Sequence, residues 1–156
     1  MIKCTEADKM KAEIRIKKLR ENATVPTYGS DFAAGADLYA AIDEPVIIGA
    51  GETEFIPTGF AFEIPEGYAG FVYARSGMAS KRSLAPANKV GVIDSDYRGE
   101  VMTALHNHGK VPQTVEPGDR IAQMIIAPYI TAEFILSDSL GDTDRGEGGF
   151  GSTGRK

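Results

Sequence analysis

Two aspartates stand in glycine-containing turns, where a carboxylate is free to act on a bound molecule. Asp94 lies in the segment Gly91-Val-Ile-Asp-Ser-Asp-Tyr-Arg-Gly-Glu100, directly after an apolar pair. At the end of a strand, such a carboxylate could orient and deprotonate a water molecule. The alternative is an aspartate-rich β-turn, which uses the same residue types for structural reasons. Asp37, in Ala34-Gly-Ala-Asp-Leu38, could hold a metal-bound water or simply cap its turn.

Two further segments combine an arginine with groups that suit an anion. Arg75-Ser-Gly-Met-Ala79 follows a predicted strand and opens a possible helical turn, whose free N–H groups favour negative charge. Gly118-Asp-Arg-Ile-Ala-Gln123 places an arginine and a glutamine around the start of another strand. Taken singly, each segment is better explained as structural than as functional. His106 and His108 are too few for a zinc site, and we interpret them as surface residues.

The glycine-rich C-terminal segment resembles a phosphate-binding loop only in part. Six of the 18 glycines lie in residues 141–154, and three of these have G-x-G-x-x-G spacing. A dinucleotide fingerprint also requires a strand before it and a helix after it, and neither is predicted here. Glycine N–H groups with Arg145, Ser152 and Thr153 could still wrap phosphate oxygens, and Phe150 could stack on a base. A flexible linker is the alternative.

The elements that would position these residues are short strands. Residues alternate with a period of two, or favour β-structure, in the segments 14–17, 60–64, 68–74 and 101–105. Proline and glycine turns separate such segments, while helix signals are confined to residues 5–11 and 76–82. Many short strands with these turns predict an antiparallel sandwich or jelly roll. The turn at residues 96–99 further predicts a hairpin.

Composition narrows the classes of function. The chain has 156 residues, enough for one domain, and its net charge is −5, from 17 Lys and Arg against 22 Asp and Glu. This acidity argues against a nucleic-acid partner, although a single nucleotide is compatible with it. No apolar run approaches the roughly 20 residues of a membrane span, so no membrane partner is expected. The polar N-terminus and the single cysteine, Cys4, favour an unsecreted protein in the reducing cytoplasm.

Five segments, taken in chain order, resemble the five motifs of the trimeric deoxyuridine triphosphatase (dUTPase) family. Their sequences are AGADL, RSGMA, GVIDSDYRGE, GDRIAQ and RGEGGFGSTG, and they extend over residues 34–154. The resemblance implies an all-β, jelly-roll-like (β-clip) subunit of a homotrimer in which each active site is built from all three chains. Residues 1–11 would form an N-terminal extension, residues 12–140 the β domain, and residues 141–156 a flexible arm that closes a neighbour's active site.

The resemblance also implies that the chain is an enzyme, a dUTP diphosphatase. Water would attack the α-phosphorus of dUTP, with Mg²⁺ as cofactor, to give dUMP and pyrophosphate. This reaction would limit uracil incorporation into DNA and supply dUMP for dTMP synthesis. Asp94 would be the catalytic base, and Asp37 would face water bound to the metal. The other site residues implied by the resemblance bind substrate: Arg75, Ser76, Gly77, Asn88, Gly91, Val92, Ile93, Tyr97, Met102, Gln123, Arg145, Phe150, Gly151, Ser152 and Thr153.

On this map, shape would select the base and the sugar. Backbone groups of residues 91–94, with Asn88 nearby, would pair with the uracil edge, and a tight hairpin would exclude the methyl group of thymine. Tyr97 would pack under the deoxyribose, where a ribose 2′-hydroxyl would clash or lose its solvation, and Met102 would line the same pocket. Phe150 would stack on the uracil, a contact worth about 1–3 kcal/mol by analogy with base stacking elsewhere.

Two alternatives remain open from the sequence. The related dCTP deaminases share the fold but typically carry a catalytic glutamate at the position of Ala104. A non-catalytic nucleotide-binding protein on the same scaffold is the second alternative, and Asp94, Tyr97, Arg145 and Phe150 argue against it. An acidic body disfavours a triphosphate unless Mg²⁺ and arginines offset its charge, so magnesium dependence is expected.

Overall fold

The computed structural model describes residues 12–149 and consists of strands with one short helix. The strands are β1 (Arg15–Lys18), β2 (Thr27–Tyr28), β3 (Ala36–Tyr39), β4 (Val46–Ile48), β5 (Thr53–Pro57), β6 (Phe60–Glu63), β7 (Tyr68–Tyr73), β8 (Leu84–Pro86), β9 (Val90–Ile93), β10 (Met102–Asn107), β11 (Gln113–Val115) and β12 (Arg120–Pro128). The helix α1 (Ser76–Arg82) lies between β7 and β8, where the sequence predicted it. The helix predicted at residues 5–11 lies outside the described residues. Within residues 12–149, no helix is long and apolar enough to span a membrane.

The strands pair in four antiparallel sheets. The largest has the order β2-β3-β12-β7-β9, and a three-stranded sheet has the order β5-β10-β8. Two smaller sheets pair β1 with β6 and β11 with β4. Strands that follow one another in the chain, such as β5, β6 and β7, lie in three different sheets. The predicted all-β, jelly-roll-like class is therefore confirmed.

Two clusters of buried apolar side chains hold the sheets together. The first contains Leu38, Phe60, Phe62, Ile64, Val72, Val101, Ala122 and Met124. The second contains Ala40, Ile48, Ile56, Met78, Leu84, Leu105, Val115 and Ile121. Leu38 fixes β3 in the first cluster, and Met78 anchors α1 in the second. The core thus holds β3, which carries Asp37, and α1, which follows Arg75.

The hairpin predicted around residues 96–99 is wrong. β9 pairs with β7 in the five-stranded sheet, whereas β10 pairs with β5 and β8 in the three-stranded sheet. The turn therefore crosses from one sheet to another. Val101 explains the crossing, because its N–H donates to the carbonyl of Phe60 and its own carbonyl accepts from the hydroxyl of Thr58. These bonds draw the chain away from β9 before β10 begins.

The turn between β5 and β6 requires glycine at position 59. Gly59 has a φ of +77°, and a Cβ atom there would lie 2.3 Å from the Cβ of Ala23 and 3.0 Å from that of Ala41. The Gly59 carbonyl accepts from the N–H of Leu19, and its N–H donates to the Glu100 carboxylate. This turn thereby joins the segment after β1 to the loop before β10.

Replacing Gly59 with alanine is expected to destabilise the fold more than replacing Gly51, which has the same φ of +77° but open space around it. Gly51→Ala meets only the backbone cost of about 1–2 kcal/mol, while Gly59→Ala adds an overpacking cost of about 1–3 kcal/mol. Urea unfolding of both variants at one protein concentration measures the difference. Equal losses of unfolding free energy in the two variants would show that the structure around Ala23 adjusts to a Cβ atom at position 59 without cost.

Candidate active site

Asp37 is a largely buried carboxylate shared by two arginines. Its Oδ1 accepts from Nε of Arg75 at 2.6 Å, and its Oδ2 accepts from Nη1 of Arg120 at 3.1 Å. The side chain of Asp37 is only 10% exposed, while those of Arg75 and Arg120 are 23% and 51% exposed. Two cations against one anion leave a positive surface that can receive a further anion.

Gln123 and the start of α1 complete this region. Gln123 pairs in register with Asp37 on one side and with Tyr73 on the other, and its side-chain amide donates to the carbonyl of Ala74 at 2.9 Å. α1 begins at Ser76, immediately after Arg75. Gly77 has open space where a side chain would lie, so a ligand can approach its backbone. The predicted residues Asp37, Arg75, Ser76, Gly77 and Gln123, together with Arg120, form what we call the Asp37 cluster.

The donor set of the described residues does not by itself build a metal centre. Among residues 12–149, no group of three or more His, Cys, Asp or Glu side chains could hold a metal ion. Both oxygens of Asp37 already accept hydrogen bonds from arginine. Mg²⁺ commonly keeps several waters and is held partly by substrate phosphates. The region therefore fits an ion carried by a phosphate ligand better than an ion held by protein groups alone.

Asp94 lies on the walls of two neighbouring cavities. A cavity of about 320 Å³ is lined mostly by apolar side chains, among them Phe55, Val92, Tyr97 and Met102. A second cavity of about 760 Å³ is lined mostly by charged and polar side chains near β1, β6 and the turn after β9. Asp94 therefore lines both an apolar pocket and a polar cleft.

The turn after Asp94 holds Tyr97 against the apolar pocket. The Tyr97 N–H donates to the Asp94 carbonyl at 3.2 Å, and the Tyr97 hydroxyl donates to the Glu100 carbonyl at 3.1 Å. Gly99 makes room for the ring, because a Cβ atom there would lie 2.3 Å from the Tyr97 hydroxyl. Tyr97 is thus held through its main chain and through its hydroxyl, while the residue remains 44% exposed.

β9 presents an edge for hydrogen bonding. It is the last strand of its sheet, and within residues 12–149 only β7 pairs with it. An edge strand leaves alternate N–H and C=O groups free. The side-chain amide of Asn88 lies close to this edge, since a Cβ atom on Gly91 would be 3.4 Å from its Nδ2. Gly91, Val92 and Ile93 thus lie on this edge strand, and Asn88 lies in the turn just before it.

The Asp37 cluster and Asp94 lie at opposite ends of the β7–β9 pair. Arg75 follows Tyr73, which pairs with Val90, whereas Asp94 follows Ile93, which pairs with Gly70. Tyr73 and Gly70 are three residues apart, roughly 10 Å along a strand, and both groups lie beyond these ends. A single chain therefore does not bring its anion-receiving cluster next to its candidate base.

Over the described residues 129–149, the segment after β12 forms neither a strand nor a helix and carries several exposed apolar side chains. Five of its large apolar side chains are at least 80% exposed: Ile130, Phe134, Ile135, Leu136 and Leu140. Arg145 follows in an exposed turn, where its Nε donates to the carbonyl of Gly148 at 2.7 Å. The candidate residues Phe150, Gly151, Ser152 and Thr153 lie outside the described residues. Contiguous exposed apolar surface is typical of interaction sites.

His106 and His108 lie side by side at the end of β10. Their ring centroids are 4.4 Å apart, as expected for residues on one side of a strand, and Nδ1 of His106 is 2.9 Å from the Thr53 hydroxyl. The pKa of His108 lies below its ordinary value, because partial desolvation and the charges of Lys89 and His106 disfavour its protonated form. Both residues are away from the Asp37 cluster and Asp94.

Three residues of these sites were not singled out from the sequence. Arg120 lies in the segment GDRIAQ, but nothing in the sequence was a reason to assign it a role. Its partner Asp37 lies on β3, the strand that pairs with β12. Phe55, on β5, is 68% exposed despite its size, and this exposure is visible only in the structure. Glu100 ends the motif that contains Asp94, but its bonds to Arg20 and Gly59 join parts of the chain that are distant in sequence.

Comparisons with known proteins agree on one family. The family model described as dUTPase matches residues 21–154. A curated relative from Desulfitobacterium hafniense (strain DSM 10664 / DCB-2), named deoxyuridine 5'-triphosphate nucleotidohydrolase, is 50% identical over 145 residues, covering 91% of this chain and 96% of the relative. A relative of the same name from Anaeromyxobacter sp. (strain Fw109-5) is 52% identical over 131 residues, covering 84% and 88%.

Solved structures give the same result. A mutant of the Staphylococcus bacteriophage 80alpha dUTPase with dUpNHpp matches with a TM-score of 0.84 and 29% identity, covering 92% of this chain and 99% of that one. A mutant dUTPase from phage phi11 of S. aureus, described as revealing the coordination of a structural Mg(II) ion, matches with a TM-score of 0.74 and 27% identity, covering 82% and 98%.

Replacing Asp37 with asparagine is expected to lower the free energy of unfolding by about 1–3 kcal/mol, because two guanidinium groups lose their shared carboxylate. The partial exposure of both arginines keeps the loss below that of a fully buried pair. Urea unfolding measures it, with Glu63→Gln as control, since that variant breaks the exposed Arg15–Glu63 pair and should cost under about 1 kcal/mol. If Asp37→Asn lowered the free energy of unfolding no more than Glu63→Gln, the expected contribution of Asp37 to stability would be contradicted.

Proposed function

The chain belongs to the dUTPase family and hydrolyses dUTP to dUMP and pyrophosphate, and we propose that Asp94 activates the attacking water. The observation that carries this assignment is the place of Asp94 between the apolar pocket and the polar cleft. A nucleoside in the pocket would leave its α-phosphate near the carboxylate, while the cleft admits water. No other carboxylate lines the same pocket except Glu100, whose oxygens bind Arg20 and Gly59.

The reaction at Asp94 is a displacement at phosphorus. The oxygen of water bonds to the α-phosphorus, and the proton of that water passes to the Asp94 carboxylate. The bond from the α-phosphorus to the oxygen that bridges to the β-phosphate breaks, and pyrophosphate leaves with the bonding electrons. Holding water, base and phosphorus in line supplies much of the acceleration, because a bimolecular step becomes effectively unimolecular.

The β9 edge and Tyr97 would select the nucleoside. The outward-facing backbone groups of residues 91–93, with the Asn88 amide, would offer the mixed donors and acceptors that a uracil edge requires. Tyr97 would lie under the deoxyribose and Met102 beside it, where an added 2′-hydroxyl has no room. Because β9 and β10 do not form a hairpin, the methyl group of thymine would be excluded by the edge strand β9 and by the turn that crosses from one sheet to the other.

The triphosphate would extend from Asp94 towards an Asp37 cluster of another chain. Arg75 and Arg120 supply positive charge there, and Ser76, Gly77 and Gln123 supply N–H and side-chain donors. Within one chain this cluster lies beyond the far end of β7 from Asp94. We therefore propose that each active site combines residues of different copies of the chain. The resemblance implies three copies, and a homotrimer is the proposed assembly.

The apolar segment after β12 supports such an assembly. Its exposed side chains have no place to be buried within the described part of one chain, and a second copy of the same chain would cover them. Arg145, with Phe150, Gly151, Ser152 and Thr153, would then approach a neighbour's bound nucleotide. In that arrangement Phe150 stacks on the base, and the other residues hold the outer phosphates.

Magnesium is proposed as the cofactor, carried by the phosphate oxygens of dUTP. When bound, it neutralises charge on the triphosphate and polarises the reacting phosphate. Asp37 and Gln123 would touch its water shell, while Arg75 and Arg120 balance the remaining charge. We further propose a cytoplasmic location, which agrees with the lack of a membrane-spanning helix in the described residues and with the single cysteine.

Replacing Asp94 with asparagine should lower kcat for pyrophosphate release from dUTP by about 10²–10⁴-fold, because an amide cannot accept the proton of water. Asp96→Asn, in the same exposed turn, is the matched control and should change kcat little. The wild-type protein is assayed with dUTP, UTP and dTTP in parallel, and dUTP should be preferred to both. Equal turnover by Asp94→Asn and Asp96→Asn would remove Asp94 from the mechanism.

Excess chelator should abolish dUTP hydrolysis, and added MgCl₂ should restore it, because a triphosphate beside Asp94 needs charge neutralisation that the arginines supply only in part. The measurement is pyrophosphate release at increasing free Mg²⁺. Since the ion is proposed to arrive with substrate, thermal unfolding of the protein alone should be insensitive to the chelator. Undiminished activity in chelator would contradict the cofactor assignment.

A further inference from the structure

We propose that Arg20, through its ion pair with Glu100, is a positioning residue for Tyr97 and so sets how strongly the enzyme prefers deoxyribose to ribose nucleotides. The proposal deepens the proposed function, and it rests on the placement of Tyr97 under the sugar. Arg20 lies in the segment after β1, about 80 residues from the turn it would control.

The Arg20–Glu100 pair has the forked geometry of a strong arginine–carboxylate contact. Nε of Arg20 donates to Oε1 of Glu100 at 2.6 Å, and Nη2 donates to Oε2 at 3.0 Å. The N–H of Gly59 donates to the same Oε1 at 3.0 Å. The guanidinium lowers the pKa of the Glu100 carboxyl, which therefore stays ionised and held at neutral pH.

The Arg20–Glu100 ion pair acts on Tyr97 through the backbone of Glu100. The Glu100 carbonyl accepts from the Tyr97 hydroxyl, so a residue held by its side chain holds the aromatic ring through its main chain. The next residue, Val101, is bonded to the turn of residues 58–60. The Glu100 carbonyl and the Val101 N–H belong to one planar peptide unit, so the ion pair and the bonds of Val101 restrain this carbonyl from its two sides. Loss of the ion pair removes one of these two restraints and loosens the acceptor of the Tyr97 hydroxyl.

Sugar selection is the property most sensitive to such a movement. Discrimination between hydrogen and hydroxyl at the 2′ carbon depends on how closely the ring approaches the sugar, and repulsion changes steeply over fractions of an ångström. A looser Tyr97 would admit the larger ribose more readily. Deoxyribose already fits, so hydrolysis of dUTP would change less than hydrolysis of UTP. The ratio of the two kcat/KM values reports this difference.

A purely structural tie between the N-terminal segment and the body is the competing explanation. The chain offers a matched control in Asn22, two residues after Arg20. Its side-chain amide donates to the Ile42 carbonyl and to the Asp43 carboxylate, both at 2.9 Å. Asn22 thus anchors the same segment without touching Glu100 or Tyr97. A variant at Asn22 loses the tie but not the proposed control of the ring.

The test compares Arg20→Gln, Glu100→Gln, the double variant and Asn22→Ala for kcat/KM with dUTP and with UTP, alongside thermal unfolding. We expect the dUTP-to-UTP ratio to fall about tenfold in both single variants, mainly through faster UTP hydrolysis. The double variant should lose no more than the single variants, because they break one interaction. Arg20→Lys should recover part of the ratio, and Asn22→Ala should lower the unfolding temperature with the ratio unchanged.

Tyr97→Ala separates failure of this proposal from failure of the proposed function. If Tyr97→Ala lowers the ratio but the Arg20 and Glu100 variants leave it at the wild-type value, the positioning role is overturned and the sugar contact stands. If Tyr97→Ala leaves the ratio unchanged, the assignment of Tyr97 to the sugar fails and the positioning role fails with it. A fall of the ratio in Asn22→Ala equal to that in Arg20→Gln would also overturn the proposal.

Discussion

The antiparallel register of β7 with β9 decides what one chain can assemble. It sets the end of β7, with Arg75, against the start of β9, and so sends Asp94 to the opposite end. Strand pairing is rigid over this distance, because each pair is fixed by hydrogen bonds and by the packing of side chains on both faces. The proposed site uses both ends, so it requires more than one copy of the chain, and assembly is part of the proposed chemistry.

In the proposed site, electrostatics at the Asp37 cluster would reconcile an acidic protein with a highly charged anionic substrate. The net charge of −5 is a sum over the whole chain, and water and salt screen charges that lie far from the cluster. At the cluster, Arg75 and Arg120 lie on one shared carboxylate, and their excess positive charge acts at short range. Asp37 also orders the two arginine side chains, so the loss of their conformational entropy occurs when the protein folds rather than when a ligand binds. Overall charge is thus a poor guide to the ligand of a protein when the local charges are arranged in this way.

Local signals in the sequence were sufficient for much of the fold. Period-two alternation located β6, β-rich composition located β7, and the short segment after Arg75 was recognised as helical, because these signals depend on neighbours in the chain. Which strands pair with each other could not be predicted from such local signals. The bonds of Val101 to Thr58 and Phe60 carry β10 into another sheet, and nothing near residues 96–99 announces them. Pairing is decided by contacts that exist only after the sheets have packed.

The candidate site shows the same division. Asp37 and Asp94 were recognised because aspartate in a glycine turn suggests chemistry, but Arg120 is 83 residues from Asp37 and Arg20 is 80 from Glu100. The distance between the Asp37 cluster and Asp94 also required the strand register. Roles of individual residues in binding dUTP stay predictions, as do the boundaries at residues 12 and 140.

Gly99 has a consequence for how the gene can change. Every coding change at this position adds a Cβ atom, and that atom would meet the outer part of the Tyr97 ring rather than the backbone. An aromatic side chain can swing aside, so folding would tolerate the change while the ring lost its place. Selection at codon 99 would therefore act through the quality of the nucleotide pool, and a mutant protein would accumulate normally while admitting the wrong sugar.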